Sequence, residues 1–276
     1  MKKLIIVNNY PAHYEIIESV IVKCNYILNI DLFEKLNIYL SIYHCPFFKK
    51  YIKNKYPNIK FQKIFNYDYF INCTVYDKDF KYLDKDNKNK KYIAHELTPR
   101  LKENPNILFL TPFLSNRFLE ADILPFSFNK IKTKIPVYII QGNLNQKRRN
   151  YDLLKKILSQ NYKYDFKIKL IGRGDLPQSL IKYKEKIILK NNLNFIDFHK
   201  EFLNGYCILP LISKNSNPNY YKKKLTSTIN YAKGYKLKCL IDKDLQDIYN
   251  LEDVEIYNDI QYINYAFEKT LEKFYL

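Results

Sequence analysis

Short apolar runs alternate with helix-period segments from one end of the chain to the other, and that alternation limits what it can fold into. Residues 3–7 read KLIIV, and in the EIIESVIVKC that follows, Ile16, Val20 and Cys24 stand four residues apart. An unbroken apolar run suits a strand covered on both faces, while the four-residue step marks one face of a helix. Further strands are expected at 37–43, 59–65, 68–76, 90–96 and 106–114, and then at 135–142, 166–174, 192–198, 205–212, 237–242 and 254–257. RRNYDLLKKILSQ (148–160) and YINYAFEKTLEKF (262–274) have helical spacing. This order predicts an α/β protein with parallel sheets. The polar, basic NKIKTKIP (129–136) separates two halves. The expected domains are 1–130, 131–258 and a C-terminal helix, 259–276, packing back on the first. KDNKNKK (85–91) is an expected exposed loop.

With 276 residues, 47% of them hydrophobic, the chain can bury two ordinary cores and is too apolar for disorder. It has no apolar run of about 18 residues, so no membrane span is expected. The amino-terminal apolar stretch, Leu4 to Val7, is too short for a secretion signal and lacks a small-residue cleavage site. The five cysteines are widely spaced without a C-x-x-C pair, which favours reduced thiols over a zinc site or disulfide framework. The Lys, Asn, Ile and Tyr bias is that of an AT-rich genome, a large DNA virus or an AT-rich bacterium. The expected location is the cytoplasm, the host's if the genome is viral. A net charge of +18 implies a general attraction to anionic surfaces, but the lysines are dispersed rather than gathered into a nucleic-acid patch.

Ligands of open α/β sheets bind beyond the carboxyl ends of the strands, where helix N-termini favour phosphate. Four segments of the second half belong there. QGNLNQKRRN supplies Gly142, Asn143, Arg148 and Arg149; IGRG supplies Gly172 and Arg173; NFIDFHKEF supplies Ile196 and Phe198, with His199 expected on the surface. In KKKLTSTINYAKGY, Leu225, Ile229 and Ala232 form a helical stripe, while Lys224, Thr226 and Ser227 stand near its start. Lysines at a helix N-terminus oppose its dipole, so their presence suggests an anion there.

The order of IIQGN, IKLIGRG, LNFIDF, ILPLI and KLTSTINYAKGYKLKCLID over about 135–245 resembles the donor-binding domain of GT-B glycosyltransferases of the family 4 type and their relatives. The resemblance implies two Rossmann-like domains facing a central cleft. It implies no prosthetic group, but a nucleotide-diphosphate sugar, a UDP- or GDP-sugar, as donor. Gly142, Arg148, Lys224, Thr226 and Ser227 would contact the diphosphate, with Ile196 or Phe198 near the base. Asn143, Arg149, Gly172, Arg173 and Leu225 complete the candidate site. One departure stands out: retaining members commonly carry an E-x7-E element, and Asn230 stands where its second glutamate would be.

The first half would then bind a glycan or another hydroxyl acceptor. His13, in the first strand-end loop, would be the general base of an inverting transfer, since imidazole accepts a proton near neutral pH. His95 resembles the cleft histidine near the donor sugar. Glu15 and Glu18 read as first-turn helix acids, and His44 as structural.

Two other readings remain. Asp77–Asp79, Asp84–Asp86 and Asp242–Asp244 each form a DKD triplet, the pattern with which GT-A glycosyltransferases hold a metal. The expected reading has no metal site. The charge would also suit a non-catalytic binder of nucleic acid or acidic glycan.

Overall fold

The computed structural model describes residues 1–11, 13–43, 45–113, 115–120, 130–145 and 148–276. His44, Gln146 and Lys147 lie outside them. The chain divides into two compact units, Met1–Leu124 with Lys223–Leu225, and Pro125–Lys222 with Thr226–Leu276.

The first unit runs β1 (Lys2–Asn8), α1 (Tyr14–Leu28), β2 (Leu36–Ile42), α2 (Pro46–Lys55), β3 (Tyr69–Val75), β4 (Lys90–Ala94), α3 (Pro99–Lys102) and β5 (Ile107–Phe109). Its strands form one parallel sheet in the order β2-β1-β3-β4-β5. Leu4, Ile5, Ile6 and Val7 are all buried, as a central strand covered on both faces requires. The apolar stripe of α1 is buried at Ile16, Ile17, Val20, Ile21 and Cys24.

The second unit continues with β6 (Val137–Asn143), α4 (Tyr151–Ser159), β7 (Lys167–Arg173), β8 (Ile187–Asn191), α5 (Phe195–Lys200), β9 (Cys207–Ile208), α6 (Ser227–Tyr235), β10 (Lys238–Asp242), α7 (Lys243–Tyr249), β11 (Val254–Tyr257) and α8 (Ile263–Tyr275). Its six strands are parallel in the order β11-β10-β9-β6-β7-β8. The fold is therefore α/β, with two parallel sheets of five and six strands. No described helix is long and apolar enough to cross a membrane.

Several local expectations give way. Residues 59–65 form no strand; Lys60 makes only an isolated bridge to Tyr39 on the edge strand β2. The strand expected at 192–198 lies upstream, as β8. Asn192 turns left-handed at φ 53°, and the Asn194 side chain accepts the Ile196 and Asp197 N–H groups at 3.0 and 3.1 Å, starting α5. Of 205–212 only Cys207–Ile208 pairs, because Pro210 has no N–H for a ladder and Leu211 is left-handed at φ 49°. His199, expected on the surface, is buried, with Nδ1 2.6 Å from the Tyr235 hydroxyl.

The C-terminal helix, expected against the first domain, uses its apolar face within the second unit. Ile263, Ala266, Phe267 and Leu271 enter the core with Tyr138, Leu154 and Phe166. The Phe267 ring lies 4.3 Å from that of Tyr138 and 4.9 Å from that of Phe166. Phe267→Ala should therefore lose about 4 kcal/mol of stability in urea unfolding. Tyr265→Ala, on the exposed side of the same helix, should stay within about 0.5 kcal/mol.

Candidate active site

Each sheet reverses its strand order once, and a crevice opens at the carboxyl ends of the strands there. In the first unit the reversal falls between β1 and β3. His13 follows β1, Tyr76 follows β3 and His95 follows the neighbouring β4. Eighty-odd residues apart in sequence, the two histidine rings meet with centroids 3.8 Å apart, tilted by 36°.

His13 is the residue before α1 and takes the left-handed conformation, φ 63° and ψ 31°, without a capping side-chain bond. A residue with a β-carbon adopts this backbone at some cost, and such strain gathers at functional sites. Its Nδ1 lies 3.5 Å from Glu15 Oε1, and its Nε2 lies 3.3 Å from the Tyr76 hydroxyl. Burial works to raise the Glu15 carboxyl, but the hydrogen bond and charge of His13 outweigh it and hold the group below the usual carboxylate range. An ionised Glu15 holds the proton of His13 on Nδ1 and leaves Nε2 as the basic nitrogen. Burial first, then the charges of Asp79 and Glu15, raise the Tyr76 hydroxyl, so it stays a neutral donor toward Nε2.

His95 has another character. It is 8% exposed, and its Nε2 is buried without a hydrogen-bond partner. Burial above all, and then the charge of His13, push its pKa down to about 3. A neutral His95 can therefore stack on His13 without like-charge repulsion when His13 takes a proton. The lysine run is anchored beside it: Leu97 N–H donates to Lys223 O at 2.7 Å, Lys223 pairs with Glu96 at 2.9 Å, and Lys224 bridges Glu96.

In the second unit the reversal falls between β6 and β9. Gly142 and Gly172 are paired across β6 and β7, and a β-carbon on Gly172 would stand 1.7 Å from the Gly142 carbonyl oxygen. With φ at 114° and 154°, both positions suit glycine alone. A β-carbon on Gly142 would come within 2.5 Å of Arg149 Nη2. The bare strand end is thus what admits the Arg149 guanidinium, whose Nη2 donates to the Gln141 carbonyl and whose Nη1 donates to Arg148 O at 3.1 Å. Arg149 is 8% exposed, its Nε has no partner, and no carboxylate pairs with it among the described residues. A buried cation without a counter-ion is costly. The first turn of α6 closes this cluster, with Thr228 Oγ1 donating to Gln141 Oε1 at 3.1 Å. Helix α6 has no acid in its first turn, and Thr226 makes no side-chain cap bond, so its N-terminal dipole has no local counter-charge.

The structure gathers some sequence-predicted residues and separates others. Gly142, Gly172 and Arg149 come together, and Thr226 and Ser227 begin the adjoining α6. Asn143, Arg173 and Arg148 are exposed at the same strand ends. Lys224 and Leu225, expected at the start of α6, belong to the first unit, and Leu225 N–H donates to His95 O at 3.4 Å. Ile196 and Phe198 lie on α5, where Phe198 packs against Phe202 and Tyr231. Glu15, Tyr76, Gln141 and Thr228 were missed. A glutamate two residues after a strand-end histidine was the signal available for Glu15; nothing local marked the others.

The aspartate triplets are engaged elsewhere. Asp77 accepts from Thr98 at 2.6 Å, Asp84 pairs with Lys90 at 2.7 Å, and Asp242 caps α7 while accepting from Tyr221 at 2.6 Å. The described residues hold no cluster of three His, Cys, Asp or Glu side chains suited to a metal.

No protein-family model matches this sequence, and no curated protein matches it. Among solved structures, the fold is similar to AviGT4, a glycosyltransferase involved in avilamycin A biosynthesis. The TM-score is 0.57 and the identity 8%, over 99% of this chain and 88% of that one. It is also similar to the lipopolysaccharide outer core galactosyltransferase WaaB, with TM-score 0.51 and 12% identity over 98% and 90%. A third similar structure is the co-structure of S. aureus MnaA with UDP, with TM-score 0.50 and 9% identity over 98% and 88%. The chain has the GT-B glycosyltransferase fold. The GT-A alternative is thereby set aside as an architecture.

The depressed His95 pKa has a consequence for stability. Above pH 6.5, the ordinary histidine value, the ring is neutral in both folded and unfolded chains. As pH falls below it, the unfolded chain takes up a proton that the folded chain refuses down to about pH 3, so stability is lost with acidification. Between pH 7 and 5 the wild type should lose about 2 kcal/mol more than His95→Gln in urea unfolding.

Proposed function

We propose that this protein is a glycosyltransferase that moves a sugar from a nucleotide-diphosphate sugar to a hydroxyl of a glycan or other acceptor. The observation that carries the reading is the buried Arg149, a cation without a carboxylate partner at the strand-order reversal of the second unit. A diphosphate would supply the missing charge. The glycine-lined strand end would let its oxygens approach the backbone, and the N-terminus of α6 would add N–H donors and a positive dipole end. Arg148, Arg173 and Asn143 are assigned to its outer side, with Ser227 and Thr226 at the helix start. Ile196 or Phe198 is assigned to the base, while Lys224 and Leu225 belong to the first unit and are left out of this cluster. The fold is that of glycosyltransferases, and one similar structure was solved with UDP, which supports a nucleotide donor.

In an inverting transfer, the acceptor hydroxyl takes the place of the Tyr76 hydroxyl at His13 Nε2, which removes its proton as the oxygen bonds to the anomeric carbon. The bond from that carbon to the diphosphate breaks, and its electron pair leaves on the phosphate oxygen. Glu15 steadies the imidazolium formed, and the Arg149 cluster stabilises the leaving charge. In a retaining transfer, His13 positions the acceptor instead. Asn230 is buried on α6 and cannot supply the carboxylate of an E-x7-E element. Charge compensation by arginine and helix dipole is the basis for proposing a metal-independent reaction.

The rival reading, a binder of anionic polymer, rests on the net charge of +18. UDP, GDP and ADP, each titrated in a thermal-shift assay, separate the two. At about 100 times Kd, one of the three should raise Tm by about 5 °C while the others do less. Arg149→Met should abolish that shift while leaving the unliganded protein within about 1 kcal/mol of wild type, since a buried unpaired charge is removed. Stabilisation indifferent to the base and collapsing steeply with salt would instead favour the polymer binder.

A further inference from the structure

Among the described residues, the first unit leaves a stretch of sheet without a covering helix. A parallel connection usually carries a helix that packs on the sheet face. Between β3 and β4 the chain supplies only a 3-10 helix, Asp77–Tyr82, and between β4 and β5 only the four-residue α3. Both connections step in the same direction across the sheet, so right-handed crossovers put them on one face. Phe70 and Asn72 share a face of β3, and an irregularity between Asn72 and Val75 brings Thr74 to the same pocket. Without a helix above them they line a pocket of about 540 Å³, walled by Tyr10, Tyr67, Tyr82, Tyr92, Asp79 and Asp84.

The chemistry of this pocket is mixed in a particular way. Tyrosine rings and Phe70 offer flat apolar faces, while the sheet contributes an amide and a hydroxyl where a covered face would carry aliphatic residues. Thr74 is fully buried, and its Oγ1 has no hydrogen-bond partner. The Asn72 carbonyl oxygen accepts Thr74 N–H at 3.2 Å, so its amide NH2 serves as a donor. Asp79 already accepts from the Tyr10 hydroxyl at 2.9 Å and from Tyr76 N–H at 2.8 Å, and Asp84 is paired with Lys90. Tyr10, Tyr92 and both carboxylates are held by the protein before any ligand arrives. Flat apolar faces beside fixed acceptors and donors match a pyranose, which presents C–H groups on its faces and hydroxyls around its rim. Two carboxylates against one lysine disfavour an anionic ligand.

We propose that this pocket binds a neutral sugar ring, a non-reacting unit of the acceptor glycan. It adjoins the candidate base: the Tyr10 ring meets Tyr76 edge-on at 4.7 Å, and the Tyr76 hydroxyl is 3.3 Å from His13 Nε2. That the sugar belongs to the acceptor rests on the transferase reading. That a sugar binds here does not.

Saturation-transfer NMR on the full chain, without nucleotide, tests the site with the methyl pyranosides of glucose, galactose, mannose, N-acetylglucosamine and rhamnose. At least one should bind, and Tyr82→Ala should weaken it by about tenfold. Tyr82 is 75% exposed, so its removal leaves the fold intact; Thr74→Val, close in shape, should weaken binding in the same direction. The proposal is overturned if no pyranoside binds, if neither variant weakens the one that does, or if methyl glucuronide binds more tightly than methyl glucoside. The nucleotide thermal shift, measured on the same samples, should be unchanged by both variants. If that shift is absent even from wild type, the transferase reading fails while the sugar site stands.

Discussion

The contact between two bare strand ends governs the chemistry available to the second unit. Gly142 and Gly172 lie so close that a β-carbon on the latter would overlap the former's carbonyl, and the missing β-carbon of Gly142 leaves room for the Arg149 guanidinium against the Gln141 carbonyl. That cation is buried without a carboxylate partner among the described residues, and the N-terminus of α6, tied to Gln141 by Thr228, adds further positive potential. Each piece taken alone is a common turn, cap or surface arginine. Together, at the point where the strand order reverses, they form an unneutralised positive site.

The first unit handles its charges in the opposite manner. His13 has a carboxylate against one nitrogen and a phenol against the other. His95, stacked on it, is kept neutral by burial down to about pH 3. The two rings meet at 3.8 Å and differ entirely in environment, one held between a carboxylate and a phenol and the other desolvated.

The alternation of apolar runs and helical stripes made the α/β class and both parallel sheets legible, because strands buried on both faces need little beyond continuous apolar residues. The elements misread in sequence are those set by single backbone features: Asn194 starting a helix inside an apparent strand, and Pro210 cutting another short. The C-terminal stripe of Ile263, Phe267 and Leu271 was visible, but a stripe does not say which core it enters. In the site, glycines and histidines announced themselves by rarity and position. Arg149 could not be told from Arg148, since burial distinguishes them and spacing does not. The lysines of KKKLTSTINYAKGY read as one motif with the hydroxyls, yet Lys223–Leu225 belongs to one unit and Thr226 to the other. Tyr76 and Gln141 act through contacts with distant residues, which no local pattern records.

Hydrogen exchange measured by mass spectrometry, with and without UDP, GDP or ADP, tests the central claim most directly. At least one nucleotide should slow exchange at the strand ends 141–145 and 171–175 and at the start of α6, 226–230. Exchange unaltered there by all three, or slowed only at segments elsewhere in the chain, would contradict the assignment of this site to a nucleotide diphosphate.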